Sequence, residues 1–358
     1  MDIMVSSYRH PSSNPCGGLN LNPDEKSRSI VKEILKSLGR KILEGNFADI
    51  MRISRPACIS YPMTFLQAAS RDFSYCSFLN QAALVEDPLI RLQLVGAFVV
   101  SGLHLNPVEF GNTPPLNPIL GETYAASMRD GSKIWLEQTS HHPPVTHWYM
   151  EGPNNLYKFF GHGQIKAGLA GPNTIKASKL GKHTIVFKNG DKLDYTAPKM
   201  QINGVVLGQR TINFVGSFEV IDHKNDLSAI FNFKEAEGLA SSIKGKISSF
   251  WKKAEQAPID HFNVKFFSNW SGCKQELCEG TGSWLESFQV DQRVWWTAEM
   301  KPIDEWIAAE DSLPSDSVYR HDLRCLLHGN VNAAQNAKDR MENMQRADKL
   351  LRDVKNKE

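Results

Sequence analysis

ILGETYAASMRDGSKIWLEQTSHHPPVTHWYMEGPNNLYKFFGHGQI, residues 119–165, decides the fold. From Ile119 the hydrophobic period becomes two, the spacing of a strand with one buried face. The same pattern continues to about residue 300. Candidate strands are 119–128, 132–138, 145–150, 156–165, 183–188, 202–206, 211–221, 227–233, 262–268 and 281–290. Turn signals separate most of them: Asp130-Gly131, Pro153-Asn154-Asn155, Asn189-Gly190-Asp191, Lys224-Asn225-Asp226 and Ser271-Gly272. Parallel strands need long crossovers, so a strand series without helices predicts antiparallel pairing. So many strands form a sandwich or close into a barrel. Beyond about eight strands, side chains alone do not fill a barrel, and its interior holds a ligand.

Upstream, residues 26–105 read as helical. Ile30, Ile34, Leu35, Leu38 and Ile42 form one stripe on a helix over Ser27–Leu43, ended by Gly45. Lys26, Arg28, Lys32, Lys36, Arg40 and Lys41 make that window basic, with Glu33 as its one acid. Such a helix lies on an anionic membrane, covers an apolar opening, or packs on the core with solvated lysines. Thr64 is placed to cap a second helix, and Pro88 to start a third with Leu89, Leu92, Val95, Val99 and Val100 inward. Pro114, Pro115 and Pro118 then force an extended loop. Residues 239–254 hold a second basic amphipathic segment, either a surface excursion on the barrel or a membrane contact. Residues 331–356 read as one charged helix, and residues 1–26 as a disordered lead-in.

The 358 residues allow two ordinary domains or one large one. With 41 Lys+Arg against 39 Asp+Glu, the net charge of +2 gives no general grip on nucleic acid. The longest near-apolar run, Leu92–Leu105, is shorter than a bilayer span, and the first 15 residues have no signal-peptide core. A cytosolic chain is expected. Its six cysteines are scattered, with no C-x-x-C pair, so neither a zinc site nor a disulfide framework is indicated. No nucleophile elbow, Walker loop, H-E-x-x-H or dinucleotide fingerprint is present. No enzyme activity, cofactor or metal is expected.

Two polar clusters remain. In Glu137-Gln138-Thr139-Ser140-His141-His142-Pro143-Pro144, adjacent histidines converge only if the backbone turns there. Paired imidazoles suit an anion, or a metal with His147 as third ligand, or they merely finish a strand. No carboxylate or cysteine stands at metal-ligand spacing. On the last helix Lys338, Glu342 and Arg346 fall on one face at i, i+4 and i+8. A carboxylate between two cations holds them as a fork for phosphate, although solvated helix faces carry such triplets too.

These clusters resemble those of the oxysterol-binding proteins and their relatives. The first is similar to that family's E-Q-V-S-H-H-P-P signature, with Thr139 in place of valine. Leu116-Asn117-Pro118-Ile119-Leu120-Gly121-Glu122 resembles its second motif, and Lys338-x-x-x-Glu342-x-x-Gln345-Arg346 its C-terminal K-x-x-x-E-x-x-Q-R. The resemblance runs over about residues 27–356. It implies an incomplete many-stranded antiparallel β-barrel around a hydrophobic tunnel, covered by an N-terminal lid that recasts Ser27–Leu43, with Ile30, Ile34, Leu35 and Leu38 facing inward. It implies one lipid-transfer domain over 27–358, with helices at 64–105, barrel at 116–300 and a C-terminal helix. Relatives carry a sterol or phosphatidylserine in exchange for phosphatidylinositol 4-phosphate. His141, His142, Lys338, Glu342, Arg346 and Asn117 would surround the inositol phosphate. The implied protein is a monomer that touches anionic membranes peripherally and transiently; a sensor or scaffold without net transport is the other reading. One position departs: relatives carry a lysine where Pro114 stands, and that lysine contacts phosphate. The loss predicts weaker phosphoinositide binding, or recruitment of another base.

Overall fold

The computed structural model describes residues 9–15, 17–21, 55–111, 113–171, 173–205, 207–233, 260–269 and 273–355. The strands are β1 (Leu19–Leu21), β2 (Tyr61–Thr64), β3 (Pro115–Leu116), β4 (Thr123–Ser127), β5 (Lys133–His141), β6 (Pro144–Glu151), β7 (Tyr157–Leu169), β8 (Thr174–Leu180) and β9 (His183–Phe187). They continue with β10 (Lys192–Tyr195), β11 (Lys199–Asn203), β12 (Arg210–Asp222), β13 (Leu227–Phe233), β14 (His261–Ser268), β15 (Gln275–Ser283), β16 (Ser287–Val290), β17 (Arg293–Thr297) and β18 (Ile307–Ala308). The α-helices are α1 (Phe65–Arg71), α2 (Ser77–Ala82), α3 (Pro88–Gly102), α4 (Leu105–Phe110), α5 (His321–Leu327) and α6 (Val331–Lys355).

The period-two reading translates directly into one sheet. In β5, Ile134, Leu136 and Gln138 turn inward, while Lys133, Trp135, Glu137 and Thr139 face out. Sixteen strands make an antiparallel sheet whose main path is β17-β16-β15-β14-β13-β12-β10-β9-β7-β6-β5-β4-β18. β8 and β9 share one lane along β7, the former beside Gln164–Leu169 and the latter beside Tyr157–Gly161. β11 and β10 share the next lane along β12. Among the described residues the edge strands β17 and β18 do not pair with each other, so the barrel is incomplete.

Helix α3 packs against β12, β13, β16 and β17. Asp87 caps it, accepting from the amides of Leu89 and Ile90, and Pro88 stands where no amide partner is needed. Every residue from Arg91 to Gly102 is buried, so the helix is apolar all round rather than on one face. The stretch Pro88–Phe110 has the length and composition of a membrane span, but 72% of its apolar window is buried in the protein. Its polar members are satisfied inside: Gln93 accepts from the Trp295 indole at 3.2 Å, and Arg91 pairs with Asp191. The helix approaches β13 closely at Gly96, where an added Cβ would lie 2.8 Å from Phe231 Cζ. Gly96→Val overpacks this contact; a loss of about 1–3 kcal/mol is expected in urea unfolding. A change below about 0.5 kcal/mol would mean that Phe231 yields freely.

Thr64 caps α1 in a reciprocal box. Its hydroxyl accepts from the Gln67 amide at 3.3 Å, and the Gln67 side chain accepts from the Thr64 amide at 2.9 Å. Elsewhere the structure corrects the sequence reading. Part of the expected disordered lead-in is ordered: Leu19 and Leu21 are buried, and β1 pairs with β12. The segment 281–290 is not one strand but β15 and β16, joined by a turn that includes buried Trp284 and Leu285. The expected lid, with Ile30, Ile34, Leu35 and Leu38, and the segment 239–254 lie outside the described residues.

Candidate functional site

The β5–β6 hairpin delivers the two histidines. The register shifts between Gln138 and Ser140, a bulge that leaves Thr139 as the extra residue and re-aims the end of the strand. His141 ends β5, and His142-Pro143, joined by a cis peptide bond, leads into Pro144. The two imidazoles lie 4.5 Å apart between ring centres. Their neighbours in the motif are struts. Buried Gln138 donates to Ser140 O at 2.7 Å and accepts from Thr146 at 2.6 Å. The Ser140 hydroxyl donates to Pro143 O at 2.7 Å. The departure at Thr139 is accommodated on the outer face, where its hydroxyl bonds His147 Nδ1 at 2.7 Å. His147 stands 5.2 Å from His162, ring to ring, rather than beside His141. Among the described residues no three His, Cys, Asp or Glu side chains gather as a metal site.

Helix α6 carries the second cluster on one face. Lys338 Nζ lies 2.5 Å from Glu342 Oε1, and Arg346 Nη2 lies 3.1 Å from Glu342 Oε2. The ladder runs from buried Lys338 through half-buried Glu342 to exposed Arg346. It also reaches the hairpin. Burial, followed by the charge of His142, lowers the His141 pKa, while the Glu342 carboxylate raises it. His141 and Glu342, distant in sequence, therefore share one electrostatic environment. Among the described residues His141 Nδ1 is buried without a hydrogen-bond partner, which makes it a ready contact for an anion.

The second motif joins these parts. Buried Glu122 accepts from the Ile119 amide at 2.9 Å and from Arg320 Nη1 at 2.8 Å. Arg320 also clamps Asp322 through Nε at 3.0 Å and Nη2 at 2.6 Å, and donates to Asn117 O at 2.6 Å. Burial pushes the Glu122 carboxyl up to about 7 against the pull of Arg320. Backbone bonds between Gly121 and Gln138, and between Gln138 and Glu122, fix the loop to β5. Asn117 is thus held, through Arg320 and Glu122, to the loop that bonds β5 at Gln138.

Sequence reasoning missed Arg320 and Arg55. Arg55 Nη2 donates to Pro115 O at 3.0 Å and to the Asn117 side chain. Neither arginine belongs to a periodic pattern. Arg320 is 203 residues from Asn117 and Arg55 is 62 from it, so only the fold reveals the contacts.

A curled antiparallel sheet packed on an apolar helix thus carries a polar cluster on one of its hairpins. The profile of the family described as oxysterol-binding protein matches residues 41–358, and the chain belongs to that family. It is 32% identical over 370 residues to oxysterol-binding protein 9 of Dictyostelium discoideum, covering 98% of this chain and 83% of that protein. It is 27% identical over 227 residues to human oxysterol-binding protein-related protein 1, covering 63% of this chain but 23% of that longer protein. Among solved structures, the Osh3 ORD in complex with PI(4)P from Saccharomyces cerevisiae superposes with a TM-score of 0.71 at 22% identity, covering 94% of this chain and 87% of that one. The Osh1 ORD domain in complex with ergosterol gives 0.68 at 21%, covering 99% and 86%. These likenesses establish the fold.

Proposed function

We propose that this chain is a single lipid-transfer domain, which carries either a sterol or phosphatidylinositol 4-phosphate in one interior and exchanges them between membranes. Phosphatidylserine is the other candidate for the first cargo. The supporting observation is that the Glu342 carboxylate, which pairs with Lys338 and Arg346, also acts on His141, whose ring lies against that of His142. Imidazoles and cations placed together favour a phosphomonoester, and the adjoining sheet interior is apolar. The relatives solved with PI(4)P and with ergosterol share the fold, which supports both cargoes.

The physical cycle is one of partition. A lipid tail in water costs about 25 cal/mol for each Å² of apolar surface exposed. An interior that hides the tail removes this cost during transit, and the headgroup cluster decides which lipid is held. No covalent bond is made or broken. The proposed setting is the cytoplasm, with transient contact at anionic membrane surfaces.

Transport between two liposome populations tests the reading. Sterol should leave one population and appear in the other, faster when the acceptor contains phosphatidylinositol 4-phosphate. Binding without net movement would instead make the chain a sensor or scaffold.

The site also sets a pH dependence. In the free protein the His141 pKa lies below 6.5, so the imidazole is neutral near pH 7. A bound phosphate dianion raises that pKa, and binding takes up a proton. Affinity for phosphatidylinositol 4-phosphate should therefore tighten as pH falls from about 7.5 to about 6.5, and flatten near the second phosphate pKa of about 6. Binding isotherms with no pH slope would remove His141 from phosphate contact.

A further inference from the structure

Arg55 has the features of an anion-binding residue. It stands just before β2, whose segment runs beside the proline-rich loop: the Tyr61 amide donates to Pro114 O at 3.0 Å, and β2 pairs with β3. The Arg55 Nη2 reaches Pro115 O and the Asn117 side chain, one and three residues beyond Pro114. Nearby, Ala57 donates its amide to Gln335 Oε1 at 2.8 Å, about one turn before Lys338 on α6. The Arg55 guanidinium is thereby tied to the Asn117 loop, and the backbone two residues on to the helix of the ladder.

Among the described residues no carboxylate pairs with Arg55, whereas buried Arg91 and Arg320 and half-buried Arg71 each have a carboxylate partner. Both bonds to the proline-rich loop use Nη2, and a guanidinium has five N–H donors. Burial lowers its pKa to about 10. A half-buried cation with no carboxylate beside it among the described residues favours an incoming anion.

We infer that Arg55 is a phosphate-binding residue of the headgroup site, and that its guanidinium supplies the positive charge that Pro114 cannot. The inference rests on the proposed phosphoinositide reading and extends it. An arginine also changes the recognition. Its planar fork grips two phosphate oxygens at once, where an ammonium acts as a point charge. The Nη2 bond to Asn117 would hold the asparagine amide and guanidinium as one preset unit.

Three proteins decide the matter: the unaltered chain, Arg55→Gln, and Arg55→Gln with Pro114→Lys. Each is presented with liposomes containing phosphatidylinositol 4-phosphate, liposomes containing phosphatidylinositol in its place, and liposomes containing a fluorescent sterol. Soluble inositol 1,4-bisphosphate provides a bilayer-free arm. Arg55→Gln should weaken binding of phosphatidylinositol 4-phosphate and of the soluble bisphosphate by about tenfold or more, and leave sterol uptake unchanged. Adding Pro114→Lys should restore much of the loss, which a merely structural defect would not allow. Phosphoinositide uptake unchanged in Arg55→Gln overturns this inference alone. Equal loss of sterol and phosphoinositide uptake without rescue also overturns it, in favour of a structural role. No phosphoinositide uptake by the unaltered chain overturns the functional reading and the inference together.

Discussion

His141→Ala combined with His142→Ala is expected to abolish extraction of phosphatidylinositol 4-phosphate from liposomes while the protein stays folded. Each imidazole offers a charge-assisted hydrogen bond worth about 1.5–3 kcal/mol, so losing both corresponds to roughly 10²–10⁴ in affinity. The fold is expected to survive because other groups hold the hairpin end. Gln138, Thr146, Ser140 and Pro143 hold it through their own hydrogen bonds. His141 Nδ1 makes no bond that truncation would break. Sterol uptake should persist, since an apolar cargo needs no anion site. Extraction at the original level, with intact circular dichroism, would remove the histidines from the headgroup site.

The second large effect concerns stability. Arg320 stands between buried Glu122 and Asp322 and also holds the backbone of Asn117. Arg320→Leu leaves two buried carboxylates without their cation, and breaking a buried pair from one side costs about 3–5 kcal/mol. Urea unfolding should show that loss. Adding Glu122→Gln and Asp322→Asn should recover part of it, because the groups left behind are then neutral. A loss below about 1 kcal/mol in Arg320→Leu would mean that water already reaches the triad.

The strand written most clearly in the sequence has one dry and one wet face: β5 alternates cleanly through Ile134, Leu136 and Gln138. β13, buried on most of both faces, also spans the very residues read from the sequence. β8 was missed because Thr174–Leu180 has no fully buried position, so no period of two is written into it. β1 is three residues long, and pairing with β12 rather than local propensity makes it a strand. The β15–β16 turn was hidden because turns are read from polar residues, and here Trp284 and Leu285 are buried in it. The site divides in the same way. The histidine hairpin and the α6 ladder each lie within one short segment, and their spacing carries the chemistry. Arg55 and Arg320 act on Asn117 across long stretches of chain, and nothing in their local sequence announces it.

Net charge was also a poor guide to the site. The overall +2 is an average, and it is consistent with a local cluster in which Lys338 and Arg346 share the carboxylate of Glu342. That ladder sets two cations against one carboxylate, a local excess of positive charge.

One interior is proposed to hold one lipid at a time. Native mass spectrometry of the full chain, incubated with liposomes containing both a sterol and phosphatidylinositol 4-phosphate, tests it most directly. The predicted spectrum shows the chain with one sterol or one phosphoinositide, the two populations trading places as the lipid ratio changes. A chain carrying both lipids together, or a sterol population indifferent to phosphatidylinositol 4-phosphate, would contradict the account.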